Sequence, residues 1–102
     1  MKLVTYIKVK DIEWFKNQIA PTLVNYELQY RFYNEGDFGS LNQVIIESPQ
    51  RGGGIDFWGS GWLGIDIFDY EKGESLQNIL LEPHQIKEKE MACEKLLLLL
   101  NY

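Results

Sequence analysis

Residues 52–69, GGGIDFWGSGWLGIDIFD, decide how this chain folds. Two runs in which apolar and polar residues alternate stand on either side of a Gly-Ser-Gly sequence, a pattern typical of a β-hairpin with a three-residue loop. Such a loop places Trp58 opposite Trp62 and Asp56 opposite Gly64. Because side chains alternate between the two faces of a strand, this register also decides which residues share a face.

The two faces of this hairpin differ in chemistry. One is a core face and carries Ile55, Phe57, Leu63, Ile65 and Ile67. The other mixes indoles with carboxylates and carries Trp58, Trp62, Asp56, Asp66 and Phe68. This mixture suits a surface that binds a partner. The alternative is that the two tryptophans form a second core layer under a loop or helix, because large aromatic side chains are usually well buried.

Length and composition indicate one domain over residues 1–102. Of the 102 residues 45% are hydrophobic, so the chain can bury a core without disulfides or a structural metal. Cys93 is the single cysteine and cannot form an internal disulfide, which favours a reducing compartment. The N-terminus lacks the apolar segment of a signal peptide, and the run Leu96–Leu100 is far below the ~20 residues of a membrane span. We therefore expect a cytoplasmic protein.

The net charge of −5 is unevenly distributed. Residues 33–83 contain two Lys/Arg and nine Asp/Glu, which gives −7, whereas residues 1–32 carry +2 and residues 84–102 carry 0. A concentration of negative charge in one segment repels nucleic acid and attracts basic partners. Charge alone favours a surface that only aids solubility, but carboxylates beside exposed aromatic residues favour a partner.

The segment before the hairpin predicts a lead-in, a helix and two strands. Alternation over residues 3–9 predicts a short first strand. Asp11 is a candidate N-cap for a helix that begins at Ile12, and Pro21 lies near the end of its apolar stripe. Strands follow at Tyr26–Tyr33 and Leu41–Ser48, joined by a turn-rich loop over residues 34–40.

After the hairpin, a turn over residues 70–75 and a short strand over Leu76–Leu81 precede a C-terminal helix. Pro83 suits the first position of that helix, which continues to Leu100. Its predicted buried stripe contains Ile86, Ala92, Cys93, Leu96, Leu97 and Leu100. Sequential strands with short turns form an antiparallel meander. We therefore predict an α+β fold, in which a four- to five-stranded meander carries an N-terminal and a C-terminal helix on its Ile/Leu face.

Several residues raise the question of catalysis. His84 is the single histidine and is too far from Cys93 to pair with it along a helix, since nine residues rise about 13 Å. His84 with Glu88 supplies too few ligands for a metal site. Asp56 and Asp66 are candidates for a carboxylate pair in acid–base chemistry, although such pairs are common on exposed sheets. We predict no catalytic residues, no cofactor and no metal.

The glycines of residues 52–54 do not form a phosphate loop, because no Gly-Lys-Ser/Thr sequence or helix follows them. They are more typical of a bulge or wide turn at a strand entry. Nucleic-acid binding is also disfavoured, because the aromatic residues lie among acids instead of bases.

Four segments together resemble a family of small bacterial immunity proteins, which are encoded beside polymorphic toxins such as those of contact-dependent growth inhibition. The segments are YNEGDFGSLNQV (33–44), GGIDFW (53–58), GWLG (61–64) and NILLEP (78–83). The resemblance covers most of the chain after Leu28. It implies a cytoplasmic inhibitor that binds the C-terminal toxin domain of a secreted effector, often a nuclease with a basic cleft. It implies no catalytic residues.

The residues lead independently to a similar hypothesis. A compact acidic domain with aromatic anchors is suited to inhibit a basic nuclease, because carboxylates would occupy the places of phosphates. We predict that the partner-binding residues are Trp58, Trp62, Asp56, Asp66 and Phe68, with Asp37, Asp69 and Tyr70 at the rim. The alternatives are a small carboxylate-based or metal-binding enzyme, and a self-assembling adaptor that pairs through this face or a sheet edge.

Overall fold

The computed structural model describes residues 10–101 as five strands between two helical segments. The first helical segment comprises an α-helical turn (α1, Ile12–Trp14), a π-helical stretch (Phe15–Ile19) and a 3-10 turn (Ala20–Thr22). The remaining elements are β1 (Glu27–Gly36), β2 (Gly39–Glu47), β3 (Arg51–Trp58), β4 (Leu63–Asp69), β5 (Glu74–Leu81) and α2 (Ile86–Leu100). The predicted α+β class is confirmed. The strand predicted over residues 3–9 lies outside the described residues.

The sheet is the predicted antiparallel meander, with strand order β1-β2-β3-β4-β5. In the central hairpin Asp56 pairs with Gly64, as the Gly-Ser-Gly loop predicts. The Trp58 amide donates a hydrogen bond to the Trp62 carbonyl at 3.1 Å, which continues the same register into the loop. Sequence alternation is therefore a sound guide to the faces of β3 and β4.

Both helical segments pack against one face of the sheet, and the core lies between them. Asp11 caps α1, because its carboxylate accepts a hydrogen bond from the Trp14 amide at 2.9 Å. The buried residues of the core are Phe15, Ile19, Leu23, Val44, Ile46, Ile55, Phe57, Leu63, Ile65, Ile67, Leu81, Ala92, Cys93, Leu96 and Leu100. All five residues of the predicted core face of the hairpin belong to this set.

Helix α2 begins later than predicted. It starts at Ile86, because Pro83 and His84 lie in a turn between Glu82 and Gln85. The Gln85 backbone amide donates to the Glu82 carbonyl, and the Gln85 side-chain oxygen accepts from the Glu82 amide. Ile86 is consequently exposed and does not belong to the buried stripe. None of the helices described between residues 10 and 101 is long and apolar enough to cross a membrane.

The loop between β1 and β2 is also shorter than predicted. Residues 34–36 and 39–40 belong to the strands, which leaves Asp37 and Phe38 as the turn. Gly39 has a φ of 94°, a conformation that glycine adopts without strain. The β1–β2 hairpin therefore extends to the end of β3, where the loop of the central hairpin lies.

Two phenylalanines on the helix side of the sheet offer a test of this core. Phe15 is fully buried and contacts Tyr30 and Phe57, whereas Phe32 is 59% exposed. Phe15→Ala should lower the free energy of unfolding by about 3–5 kcal/mol, because it leaves a cavity in the core. Phe32→Ala should lower it by less than about 1 kcal/mol. Urea denaturation of both variants checks this, and equal losses would contradict the described packing.

Candidate functional site

The face of the sheet opposite the helices, here called the open face, carries the residues predicted to bind a partner. Cross-strand pairing arranges its side chains in four rows. The first row is Tyr33, Leu41, Trp58 and Trp62, and the second is Arg31, Gln43, Asp56, Gly64 and Leu80. The third is Gln29, Ile45, Gly54, Asp66 and Asn78, and the fourth is Glu27, Glu47, Gly52, Phe68 and Ser75. Three row intervals of about 6.8 Å separate Trp58 from Phe68 by about 20 Å along the strands.

A shallow groove of about 400 Å³ lies in the middle of the open face. Gly54 and Gly64 line it, and because neither has a side chain the sheet backbone forms the floor. Asp56, Asp66, Trp58 and Leu80 also line this groove. The structure thus brings both predicted aspartates and one predicted tryptophan to a single depression.

Asp56 is held in a defined orientation within the groove. Its Oδ1 accepts a hydrogen bond from Nε2 of Gln43 at 2.9 Å, across the β2–β3 pair. Its Oδ2 lies 3.6 Å from the position that a Cβ would take at Gly64. One carboxylate oxygen is therefore engaged, and the other borders the space that Gly64 leaves open.

An aromatic cluster of Phe38, Trp58 and Trp62 stands at one end of the groove. The Phe38 ring stacks on Trp62 with centroids 4.0 Å apart and meets Trp58 edge-on at 5.1 Å. All three side chains are half-buried. The tryptophans are therefore neither a bare surface nor a sealed second core layer, because the β1–β2 turn covers them in part.

Phe38 is a residue of this site that sequence reasoning missed. It lies in a two-residue turn, and its contacts join residues 20 and 24 positions away, so no local pattern identifies it. The turn is fixed to the central hairpin by the Gly59 amide, which donates to the Ser40 carbonyl at 2.7 Å, and by the Ser60 hydroxyl, which donates to the Phe38 carbonyl. Trp58 Nε1 is buried and has no hydrogen-bond partner among the described residues.

Phe68 and Tyr70 form a second aromatic group at the other end of the groove, with ring centroids 6.1 Å apart. The Tyr70 hydroxyl donates to the Glu47 carboxylate, with 2.9 Å to each oxygen. This hydrogen bond passes over Gly52, where a Cβ would lie only 2.1 Å from the hydroxyl. Tyr70 therefore lies over the open face, and the Glu47 carboxylate is already occupied.

The two remaining rim candidates differ in position. Asp37 is exposed in the β1–β2 turn, beside Phe38. Asp69 points to the helix side and is only 5% exposed. Its carboxylate accepts hydrogen bonds from the backbone amides of Glu71 and Lys72 at 2.9 and 3.2 Å, so it closes the turn between β4 and β5. Asp69 is therefore a structural residue and does not belong to the open face.

Negative charge predominates on the open face. Its four rows contain the carboxylates of Glu27, Glu47, Asp56 and Asp66 and the single guanidinium of Arg31. Glu27 and Glu47 are direct cross-strand partners. Because like charges in such pairs are destabilising, this arrangement costs the isolated fold some stability. Lys89 belongs to α2, on the other side of the sheet, and donates to the carbonyls of Gly61 and Pro83.

Cys93 and His84, which were also considered for catalysis, lie in different surroundings. Burial raises the pKa of the Cys93 thiol to about 11, which keeps it protonated and unreactive near neutral pH. His84 is exposed in the turn before α2. Within residues 10–101, no group of three or more His, Cys, Asp or Glu side chains has the geometry to hold a metal ion.

Comparison of the chain with protein-family models, curated proteins and solved structures gave no match.

The contact between Tyr70 and Glu47 predicts a titration that can be followed directly. The hydrogen bond to Glu47 and the negative charges of Glu47 and Asp66 raise the pKa of Tyr70 above its ordinary value of 10.0, because a phenolate cannot donate and is repelled. This contribution to stability is complete below about pH 10 and is lost as the pH rises through the raised value. Glu47→Gln should shift the Tyr70 titration to lower pH, as measured by NMR of its ring signals. An unchanged titration would contradict the contact.

Proposed function

We propose that this chain is an immunity protein, which binds the toxin domain of a cognate effector and neutralises it through the open face. The observation that carries this proposal is the composition of that face. Its four rows contain four carboxylates and one guanidinium, and an aromatic group lies at each end of the face. The resemblance of four sequence segments to immunity proteins supports the same reading.

Electrostatics favours a basic partner. Both helices described within residues 10–101 pack on the other face of the sheet, so neither of them covers the open face. The four carboxylates lie on four neighbouring strands, β1 to β4, so their negative charge is spread across the width of the sheet. A basic nuclease cleft that binds phosphates would be attracted to this face, and its catalytic surface would be covered by the complex.

The aromatic groups favour a protein partner over a small ion. Phe38, Trp58 and Trp62 hold one another in place, so little side-chain entropy remains to be lost on binding. Half-buried tryptophans with rigid neighbours are typical of residues that dominate the affinity of an interface. The acidic centre would then steer association, and the aromatic ends would determine the residence time.

The first experiment identifies the partner. The tagged chain is expressed in its own host and purified at low salt, and co-purifying proteins are identified by mass spectrometry. The proposal predicts one stoichiometric partner with a basic toxin domain, whose toxicity disappears when the chain is co-expressed. A partner whose toxicity is unaffected by the chain would overturn the proposal. So would recovery of a self-associated chain alone.

Charge reversal on the open face should weaken the complex. Asp56→Lys and Asp66→Lys should each reduce affinity for the isolated toxin domain by at least about tenfold, and should reduce its dependence on salt. Glu94→Lys is the matched control, because it makes the same charge change on the exposed side of α2. Isothermal titration calorimetry at two salt concentrations measures both quantities. Normal affinity of both aspartate variants, or an equal loss with Glu94→Lys, would exclude the open face as the interface.

A further inference from the structure

We propose that the groove of the open face is a subsite for a single arginine side chain, which binds between the Trp58 indole and Oδ2 of Asp56. This inference rests on the proposed function, because it names the chemical group that the partner presents to the groove. It depends on four observations: the space at Gly64, the orientation of Asp56, the size of the groove and the occupied state of Glu47.

The space at Gly64 is bounded by two groups that recognise a guanidinium. A Cβ placed there would lie 3.4 Å from Cζ3 of Trp58, 3.6 Å from Cβ of Asp56 and 3.6 Å from Oδ2 of Asp56. These are ordinary van der Waals contact distances, so a group at this position touches both side chains without strain. An indole carbon and a carboxylate oxygen thus border the same position above Gly64, and a planar cation that enters the groove there can contact both groups.

Asp56 is already positioned for such a contact. Gln43 engages Oδ1 at 2.9 Å, which restricts rotation of the carboxylate and leaves Oδ2 directed toward the opening. A carboxylate that is fixed before binding loses little conformational freedom when the cation arrives. Asp66 lies in the neighbouring row of the same groove and adds a second negative charge.

The dimensions of the groove favour a side chain over a folded element. A volume of about 400 Å³ is near the lower end of the range for ligand pockets. Leu80 is directly opposite Gly64 and is half exposed, so it can cover the aliphatic part of a long side chain. The glycine floor leaves room for that side chain to lie flat along the sheet.

Arginine fits these groups better than lysine does. Its guanidinium is planar, stacks on an indole and donates in a fixed direction, whereas the lysine ammonium is a compact and strongly hydrated charge. The other aromatic end of the open face is a weaker candidate, because the Glu47 carboxylate there already accepts from Tyr70. The Asp56 end is therefore the place for the guanidinium.

The test uses a short peptide, acetyl-Gly-Arg-Gly-amide, so it does not depend on identifying the toxin. The peptide is titrated into the full chain labelled with ¹⁵N, and lysine and citrulline peptides of the same length serve as comparisons. We expect saturable shifts at Gly64, the amide of Asp56 and the Trp58 indole. The arginine peptide should bind at least about threefold more tightly than the lysine peptide, and the citrulline peptide should give no saturable shift.

Two variants locate the binding. Gly64→Ala fills the opening with a methyl group that the sheet accommodates, and Asp56→Asn removes the charge while retaining the shape. Each should weaken arginine-peptide binding at least about fivefold without changing the melting temperature by more than a few degrees. Glu94→Gln, which makes the same charge change on α2, should bind as the parent chain does.

Several outcomes would overturn the inference. Equal binding of the lysine peptide would remove the assignment to arginine, and shifts scattered over all acidic residues would indicate unspecific attraction. Peptide binding that is unaffected by Gly64→Ala and Asp56→Asn would place the cation elsewhere. Because the titration is independent of any toxin, saturable arginine binding with no toxin partner would refute the proposed function alone. A neutralised toxin with no arginine preference would refute this inference alone.

Discussion

The register between β3 and β4 is the constraint on which the rest of the structure depends. The three-residue loop places Asp56 opposite Gly64. With this pairing, the branched and aromatic core side chains of β3 and β4 point to the face of the sheet on which the helices pack. A slip by one residue would exchange the two faces, burying carboxylates and exposing isoleucines. The apolar core and the acidic open face are therefore products of one pairing. The glycine floor of the groove follows from the same register.

Much of this arrangement can be predicted from the sequence, because the interactions that determine it are local. Turn chemistry defines the hairpin, and strict alternation assigns the faces, so the core residues and the positions of Asp56, Asp66 and Trp58 could be predicted. The cap at Asp11 is equally local, since its side chain bonds an amide three residues away. Each of these depends on fewer than about ten consecutive residues, over which backbone preferences act directly.

The residues that could not be predicted are those whose roles depend on distant contacts. Phe38 covers the tryptophans only because the β1–β2 hairpin reaches the end of β3. Tyr70 lies over the open face because Glu47, 23 residues earlier, offers it an acceptor. Aspartates are usually exposed, but Asp69 is buried because its carboxylate closes the β4–β5 turn. Pro83 precedes α2 by three residues, because Gln85 closes a turn that no propensity scale anticipates.

The buried thiol of Cys93 has a consequence for how complexes of this protein can be studied. Cys93 belongs to α2 and is buried in the core on the helix side of the sheet, so an alkylating reagent reaches it only when the fold opens. A partner seated on the open face cannot shield it directly. Any slowing of its alkylation on binding must therefore come from stabilisation of the whole fold by mass action. The rate of thiol modification thus reports binding energy from the side of the molecule that the partner does not touch.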